Sequence, residues 1–158
     1  MKNTKIKKIL LKKNKSKLVC LTAYSKNISS IIDRYCDITL VGDSLANTLY
    51  GMKNTHKMEV ETMIKHGISV KKGISNSLLV IDMPKGSYKN ISSAKKNAKK
   101  IINKTKCDAI KIEYNKNNFQ IIKGLTNEKI NVMGHIGFTP QFKNKFKVEG
   151  KTIRQKKI

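Results

Sequence analysis

The sequence is poor in acidic residues, arginine, proline and tryptophan. Its 158 residues include ten Asp or Glu, two Pro and no Trp, against 34 Lys or Arg, which gives a formal net charge of +24. Such a charge usually indicates a protein that binds nucleic acid. Only Arg34 and Arg154 are arginines, however, and arginine makes most bidentate contacts to phosphates and bases. A nucleic-acid-binding module is therefore the weaker interpretation of the charge.

Composition offers a simpler explanation of the lysine content. Lys, Ile and Asn together account for 68 of the 158 residues. The codons of these three amino acids are rich in A and T, so a biased base composition of the genome would produce many lysines without a binding role. We attribute the charge mainly to this bias and expect no nucleic-acid partner.

Paired cysteines and long apolar runs are also missing. The three cysteines, Cys20, Cys36 and Cys107, form no CxxC pair, which argues against a zinc knuckle or a disulfide framework. We expect reduced thiols that pack as small hydrophobic side chains. The apolar run at 9–11 is too short for a signal peptide or a membrane span. These observations predict a cytoplasmic protein without a membrane partner.

Short apolar runs alternate with helical patterns along the chain. Runs typical of buried strands begin near residues 18, 38, 78, 109 and 130, and amphipathic patterns occupy 25–35, 59–74, 92–105 and 119–125. We interpret 44–58 and 137–150 as loops, and the Lys/Asn-rich segment 1–16 as a solvated arm with at most one helical turn. Alternating strands and helices predict an α/β protein with a parallel sheet.

The type of parallel sheet follows from what surrounds the strand ends. No GxGxxG turn follows the first strand, which disfavours a dinucleotide-binding fold, although an open doubly wound sheet is an alternative. Acidic residues at strand ends suit a (β/α)₈ barrel better, because barrel enzymes build their sites there. Five βα units are only part of such a barrel. We therefore expect 17–158 to be the N-terminal part of a single barrel domain, and the chain to be a fragment.

Charged side chains follow four of the predicted strands. Asp43, Asp82 and Glu113 end three successive strands, and His135 ends the next one. Neighbouring strands lie about 4.8 Å apart, so the three carboxylates could converge on one ion. Hard oxygen ligands favour Mg²⁺ over zinc. Lys111 lies two residues before Glu113, on the same face of the strand, where its charge would complement an acidic substrate.

Several motifs resemble those of the ketopantoate hydroxymethyltransferase family. They are Val-Gly-Asp-Ser-Leu at 41–45, Ile-Asp-Met-Pro at 81–84 with Gly-Ser-Tyr at 86–88, Lys-Ile-Glu at 111–113, and Val-Met-Gly-His-Ile-Gly at 132–137. Leu-Thr-Ala-Tyr at 21–24, Thr-Pro-Gln at 139–141 and Gly-Lys-Thr at 150–152 fit the same family. The resemblance covers about residues 17–152, with the motifs in the family's order.

The resemblance implies a fold, a reaction and a set of site residues. It implies a (β/α)₈ barrel of the phosphoenolpyruvate/pyruvate type, usually a decamer, which transfers a hydroxymethyl group from 5,10-methylenetetrahydrofolate to 3-methyl-2-oxobutanoate to give 2-dehydropantoate. Mg²⁺ would stabilise the enolate as a Lewis acid. By matching motifs, Mg²⁺ would be held by Asp43, Asp82 and Glu113, the last directly or through water. The oxo acid would be bound by Asp43, Ser44, Asp82 and Lys111. His135 would line the same pocket.

The sequence departs from the family pattern at the catalytic base. In the family a glutamate after a later strand takes the proton from C3 of the oxo acid, and the acid found near the end of this chain, Glu149, does not match that motif. Lys85, where the family tends to have an apolar residue, and the basic tail 154–157 also depart from the pattern. We expect these 158 residues to be inactive alone. The alternative function is a related Mg²⁺-dependent oxo-acid lyase or mutase of the same barrel group.

Overall fold

The structure, a computed structural model, describes residues 4–143, 148 and 150–153. Its elements follow the predicted alternation, and all five strands begin within two residues of the expected positions. In chain order they are α1 (Thr4–Leu11), β1 (Cys20–Thr22), α2 (Lys26–Ile32), β2 (Ile38–Val41), α3 (Leu45–Thr48), α4 (Val60–Lys71), β3 (Leu78–Asp82), α5 (Ile91–Thr105), β4 (Ala109–Glu113), a 3₁₀ turn (Lys116–Asn118), α6 (Phe119–Asn127) and β5 (Val132–His135).

The five strands form one parallel sheet whose spatial order is the same as the chain order, β1-β2-β3-β4-β5. Each strand is joined to the next by a helical crossover, which confirms the predicted βα repeat. Because all strands are parallel, their carboxyl ends lie along one edge of the sheet. The predicted candidate residues therefore lie on the same side of the molecule.

The main hydrophobic core lies between the outer face of the sheet and the helices. Leu79 and Ile81 of β3 are fully buried there, and so are Met63 of α4 and Ile101 of α5. Asn90 begins α5 with a capping box, accepting from the backbone N–H of Ser93 while the Ser93 hydroxyl pairs with the Asn90 backbone. This core and its caps hold the strands at fixed spacing under the site.

The N-terminal segment is more ordered than the predicted solvated arm with at most one helical turn. It forms α1, and Ile6 and Ile9 of this helix pack against a second apolar cluster that includes Ile38 and Val80 on the inner face of the sheet. The spacing i, i+3 places both isoleucines on one side of the helix. Lys5 reaches the Ser77 carbonyl at 2.8 Å, while Lys7 and Lys8 are exposed. The α1 helix therefore packs on part of the inner face of the sheet.

The structure corrects one predicted loop, and two sequence features near the end of the chain lie outside the described residues. The predicted loop 44–58 contains the one-turn helix α3, which follows directly on Ser44. Glu149 and the basic tail 154–157 lie outside the residues that the structure describes. Within the described ranges, no helix is long and apolar enough to cross a membrane.

Candidate active site

Three carboxylates lie buried at the carboxyl edge of the sheet. Asp43 follows β2, Asp82 ends β3 and Glu113 ends β4, and their exposed fractions are 4%, 1% and 1%. The parallel register places Asp82 opposite Lys111 on β4, and Glu113 opposite His135 on β5. The structure thus brings the predicted strand-end residues together along one edge.

A buried ion pair joins two of the predicted residues. The Lys111 ammonium contacts Oδ2 of Asp82, and its side chain is only 12% exposed. The backbone N–H of Asp43 makes a long hydrogen bond of 3.4 Å to the same oxygen. In the described part of the chain, the other oxygen, Oδ1, is buried without a hydrogen-bond partner. Asp82 therefore offers one oxygen to a ligand while the lysine holds the other.

Burial shifts the ionisation of both aspartates. The pKa of Asp82 is raised to about 7, mainly by burial and also by the nearby charge of Asp43, and the Lys111 ammonium opposes the change. Burial also raises the pKa of Asp43, against the opposing effects of Lys111 and of a hydrogen bond from Gln141. Buried carboxyl groups of this kind occur at functional sites, where ionisation is coupled to ligand binding.

Gln141, which sequence reasoning assigned no role, is the central polar side chain of the cluster. Its Nε2 donates to Oδ2 of Asp43 at 2.9 Å and to the carbonyl of Met83 at 3.0 Å, and its Oε1 accepts from the Tyr88 hydroxyl. Its backbone N–H donates to Oε2 of Glu113 at 2.9 Å. Asp43 and Glu113 are thus linked through this residue.

Ser44 lies beside Asp43 at the start of α3, where its hydroxyl pairs with the Tyr24 hydroxyl at 2.9 Å. His66, which sequence reasoning left without a role, supports this position from α4. Its Nδ1 donates to the Tyr24 carbonyl at 2.7 Å, and its Nε2 is 3.0 Å from the Tyr50 hydroxyl. The predicted substrate contact is therefore held in place by the neighbouring helix.

His135 is one-third exposed and lies at the end of the cluster. Its Nδ1 is 3.6 Å from Oε1 of Glu113, which is too long for a hydrogen bond. Within the described residues that ring nitrogen is buried and has no hydrogen-bond partner. This position is compatible with the predicted role of lining the pocket, and that role stays a prediction.

A magnesium ion would have to be held by these carboxylates. In the arrangement that the structure describes, no three His, Cys, Asp or Glu side chains converge closely enough to hold an ion. The donor chemistry nevertheless fits Mg²⁺, because the cluster offers hard oxygens and Oδ1 of Asp82 is buried without a partner. Because the carboxylates do not meet at one point, the site suits a metal bound by one or two carboxylates and several waters better than a metal bound by protein ligands alone.

Comparison with known proteins identifies the family. A family profile described as ketopantoate hydroxymethyltransferase matches residues 3–158. This chain belongs to the ketopantoate hydroxymethyltransferase family. A 3-methyl-2-oxobutanoate hydroxymethyltransferase of Pelagibacter ubique (strain HTCC1062) is 54% identical over 156 residues, which cover 99% of this chain and 61% of that protein. The same enzyme of Anaplasma marginale (strain Florida) is 43% identical, covering 91% of this chain and 53% of its own length. The chain thus spans little more than half the length of these relatives.

Solved structures confirm the fold of this ketopantoate hydroxymethyltransferase family member. An oxaloacetate acetylhydrolase matches with a TM-score of 0.61 at 8% identity, covering 83% of this chain and 50% of that one. A 2,3-dimethylmalate lyase, described as a member of the PEP mutase/isocitrate lyase superfamily, matches with a TM-score of 0.61 at 10% identity, covering 85% and 54%. The five-stranded sheet therefore has the fold of part of a (β/α)₈ barrel.

Proposed function

We propose that this chain carries the oxo-acid-binding and metal-binding part of a hydroxymethyltransferase site. The reaction would transfer a hydroxymethyl group from 5,10-methylenetetrahydrofolate to 3-methyl-2-oxobutanoate and give 2-dehydropantoate. The observation that supports this proposal is the buried cluster of Asp43, Asp82 and Glu113 around Lys111, in a chain of this family. Burying four ionisable groups is costly, so their presence at a strand-end edge favours a role in binding.

Lys111 would bind the negative charge of the oxo acid. Its ammonium is held by Asp82 near the centre of the sheet edge, where low exposure strengthens its attraction for a carboxylate. The Ser44 hydroxyl, oriented by Tyr24, would donate a hydrogen bond to a substrate oxygen. These contacts would fix the oxo acid with its reactive carbon at the open side of the cluster.

Asp43 and Asp82 would hold Mg²⁺, with Glu113 directly or through a water. When bound, Mg²⁺ would supply Lewis-acid polarisation of the 2-oxo group of the substrate. The buried Oδ1 of Asp82 supports this assignment. It has no hydrogen-bond partner among the described residues, and a bound cation would coordinate it.

Removal of the C3 proton requires a base, which the resemblance places on a later strand of the family's barrel. We therefore propose that these 158 residues bind the oxo acid without catalysing exchange at C3. Proton NMR of 3-methyl-2-oxobutanoate in D₂O with Mg²⁺ and this chain measures that exchange directly. Mg²⁺-dependent loss of the C3 proton signal above the protein-free rate would contradict the absence of a base.

Binding itself is tested by titrating the chain with 3-methyl-2-oxobutanoate in the presence of Mg²⁺. Lys111→Met removes the cation while keeping most of the side-chain volume, and we expect it to weaken binding at least about tenfold because a charge-assisted contact is lost. Lys123→Met changes an exposed lysine on α6 and serves as the matched control, with unchanged affinity. Equal affinities of the two variants would exclude the proposed role of Lys111.

A further inference from the structure

Gln141 is fully buried, and each polar atom of its side-chain amide has a partner. Nε2 donates to Asp43 Oδ2 and to the Met83 carbonyl, at 2.9 and 3.0 Å, while Oε1 accepts from the Tyr88 hydroxyl. A flipped amide would place Oε1 against two acceptors, so the orientation of the group is determined by its neighbours. The amide group can therefore adopt only one of its two flipped orientations at this position.

The partners of Gln141 come from three different strand ends. Asp43 follows β2, Met83 and Tyr88 follow β3, and Glu113 ends β4 and accepts the Gln141 backbone N–H at 2.9 Å. Gln141 itself belongs to the segment after β5. One residue therefore connects the ends of four neighbouring strands, and it contacts one oxygen of each of two predicted metal ligands.

We propose that Gln141 is a positioning residue that orients Asp43 and Glu113 for binding of a divalent cation. This inference rests on the proposed function of the cluster. Because Gln141 engages Oδ2 of Asp43 and Oε2 of Glu113, a ligand would be bound through the second oxygen of each carboxylate. Hydrogen bonds from outside a metal site commonly hold ligands in this way, and their loss weakens metal affinity.

Glutamine suits this position better than side chains of similar size. Glutamate would add a buried negative charge beside Asp43 and Glu113 and could not donate to either Asp43 or the Met83 carbonyl. Methionine would fill the same volume but offer no donor. Methionine is therefore the substitution that removes the side-chain hydrogen bonds with the smallest change in packing, while the backbone N–H that donates to Glu113 is kept.

The test uses the full chain and Mn²⁺, detected by electron paramagnetic resonance, as the probe cation. We expect Gln141→Met to weaken Mn²⁺ binding about 10- to 100-fold. Gln120→Met, at an exposed position of α6, is the matched control and should leave the affinity unchanged. Tyr88→Phe removes the hydroxyl that holds Oε1 of Gln141 and should cause a smaller loss in the same direction. Circular dichroism establishes that each variant is folded.

A folded Gln141→Met chain whose Mn²⁺ affinity is within about twofold of the unsubstituted chain would overturn the proposal. If that variant does not fold, Tyr88→Phe decides instead: weaker Mn²⁺ binding supports the proposal, and unchanged Mn²⁺ affinity overturns it. A chain that binds no Mn²⁺ at all would refute the metal-binding part of the proposed function. The side-chain ¹³C carboxyl resonances at one pH then decide the role of Gln141. A change at Asp43 in Gln141→Met, absent from Gln120→Met, supports positioning, and no change overturns it.

Discussion

At the scale of single residues, the site combines buried charges with few neutralising partners. Asp82 is 1% exposed, and its carboxylate forms an ion pair with the Lys111 ammonium. Burial raises its pKa to about 7, against an ordinary value of about 3.9 for aspartate. A carboxyl group whose pKa is higher in the folded than in the unfolded chain binds its proton more tightly when folded. Its contribution therefore favours unfolding increasingly as the pH rises from about 4 to about 7.

We predict that the Asp82 carboxyl titrates near pH 7 and that Lys111→Met moves the midpoint higher. The lysine opposes the effect of burial, so its removal leaves the ionised carboxylate without a partner. Side-chain ¹³C NMR across the pH range measures both midpoints. Lys123→Met should not move the Asp82 midpoint, and a titration near pH 4 in the unsubstituted chain would contradict this account of the cluster.

The strand-end residues could be predicted from sequence, whereas Gln141 could not. Asp43, Asp82 and Glu113 each interrupt an apolar run, and the run marks both the strand and its end. Gln141 meets Asp43 across 98 residues of chain, through two loops whose local sequence carries no periodic signal. Its membership of the Thr-Pro-Gln motif was the available sign, and that motif by itself names no partner.

At the scale of elements, helix packing is close enough to require glycine. Gly67 of α4 lies against β3 and α5, where an added Cβ would clash with Ile81 Cδ1 and come within 2.9 Å of Thr105 Cγ2. Both neighbours are in the buried core. Helix propensity alone would favour alanine at this position by up to about 1 kcal/mol. Packing therefore overrides helix propensity at Gly67, because the buried side chains of Ile81 and Thr105 leave no room for a methyl group.

We predict that Gly67→Ala lowers the free energy of unfolding by about 1–3 kcal/mol, as is usual for overpacked cores. Gly124→Ala in α6 is the matched control, since its nearest neighbour, Ile91, is 3.0 Å away and 40% exposed, so it can move. The control should be neutral or more stable. Urea denaturation measures both changes, and a stabilising Gly67→Ala would show that α4 is packed less closely than described.

The same scale explains where element prediction was wrong. The Lys/Asn-rich composition of 1–16 favours a solvated arm, yet Ile6 and Ile9 form one apolar side of a helix that packs on the sheet. Helix α3 has four residues and begins at the end of a strand, so it is too short for a hydrophobic period to reveal it. The longer elements were predictable because each contributes several residues to one core.

At the scale of the whole molecule, charge repulsion acts against compactness. The sequence has 34 basic and ten acidic residues, and a formal net charge of +24. Exposed pairs such as Lys95 and Lys99 with Glu128 offset few of these charges. A large net charge of one sign destabilises a folded chain through self-repulsion, and salt screens that repulsion.

We predict that raising NaCl from about 20 mM to about 300 mM increases the thermal unfolding temperature of the chain, because the Debye length falls below the spacing of most surface charges. Differential scanning fluorimetry measures the change, and sucrose at matched osmolality controls for effects unrelated to charge. If salt left the unfolding temperature unchanged or lowered it, charge repulsion would not limit the stability of this fold.

The agreement between strand order and chain order means that neighbouring parts of the site are also synthesised one after another. Each strand pairs with the one made just before it, so the sheet can grow from β1 to β5 as the chain leaves the ribosome. Asp43 emerges first, then Asp82, then Lys111 and Glu113. Gln141 comes after all of them and makes the contact to Asp43 that closes the longest loop in the cluster. The acidic residues are therefore synthesised before the residue that orients them.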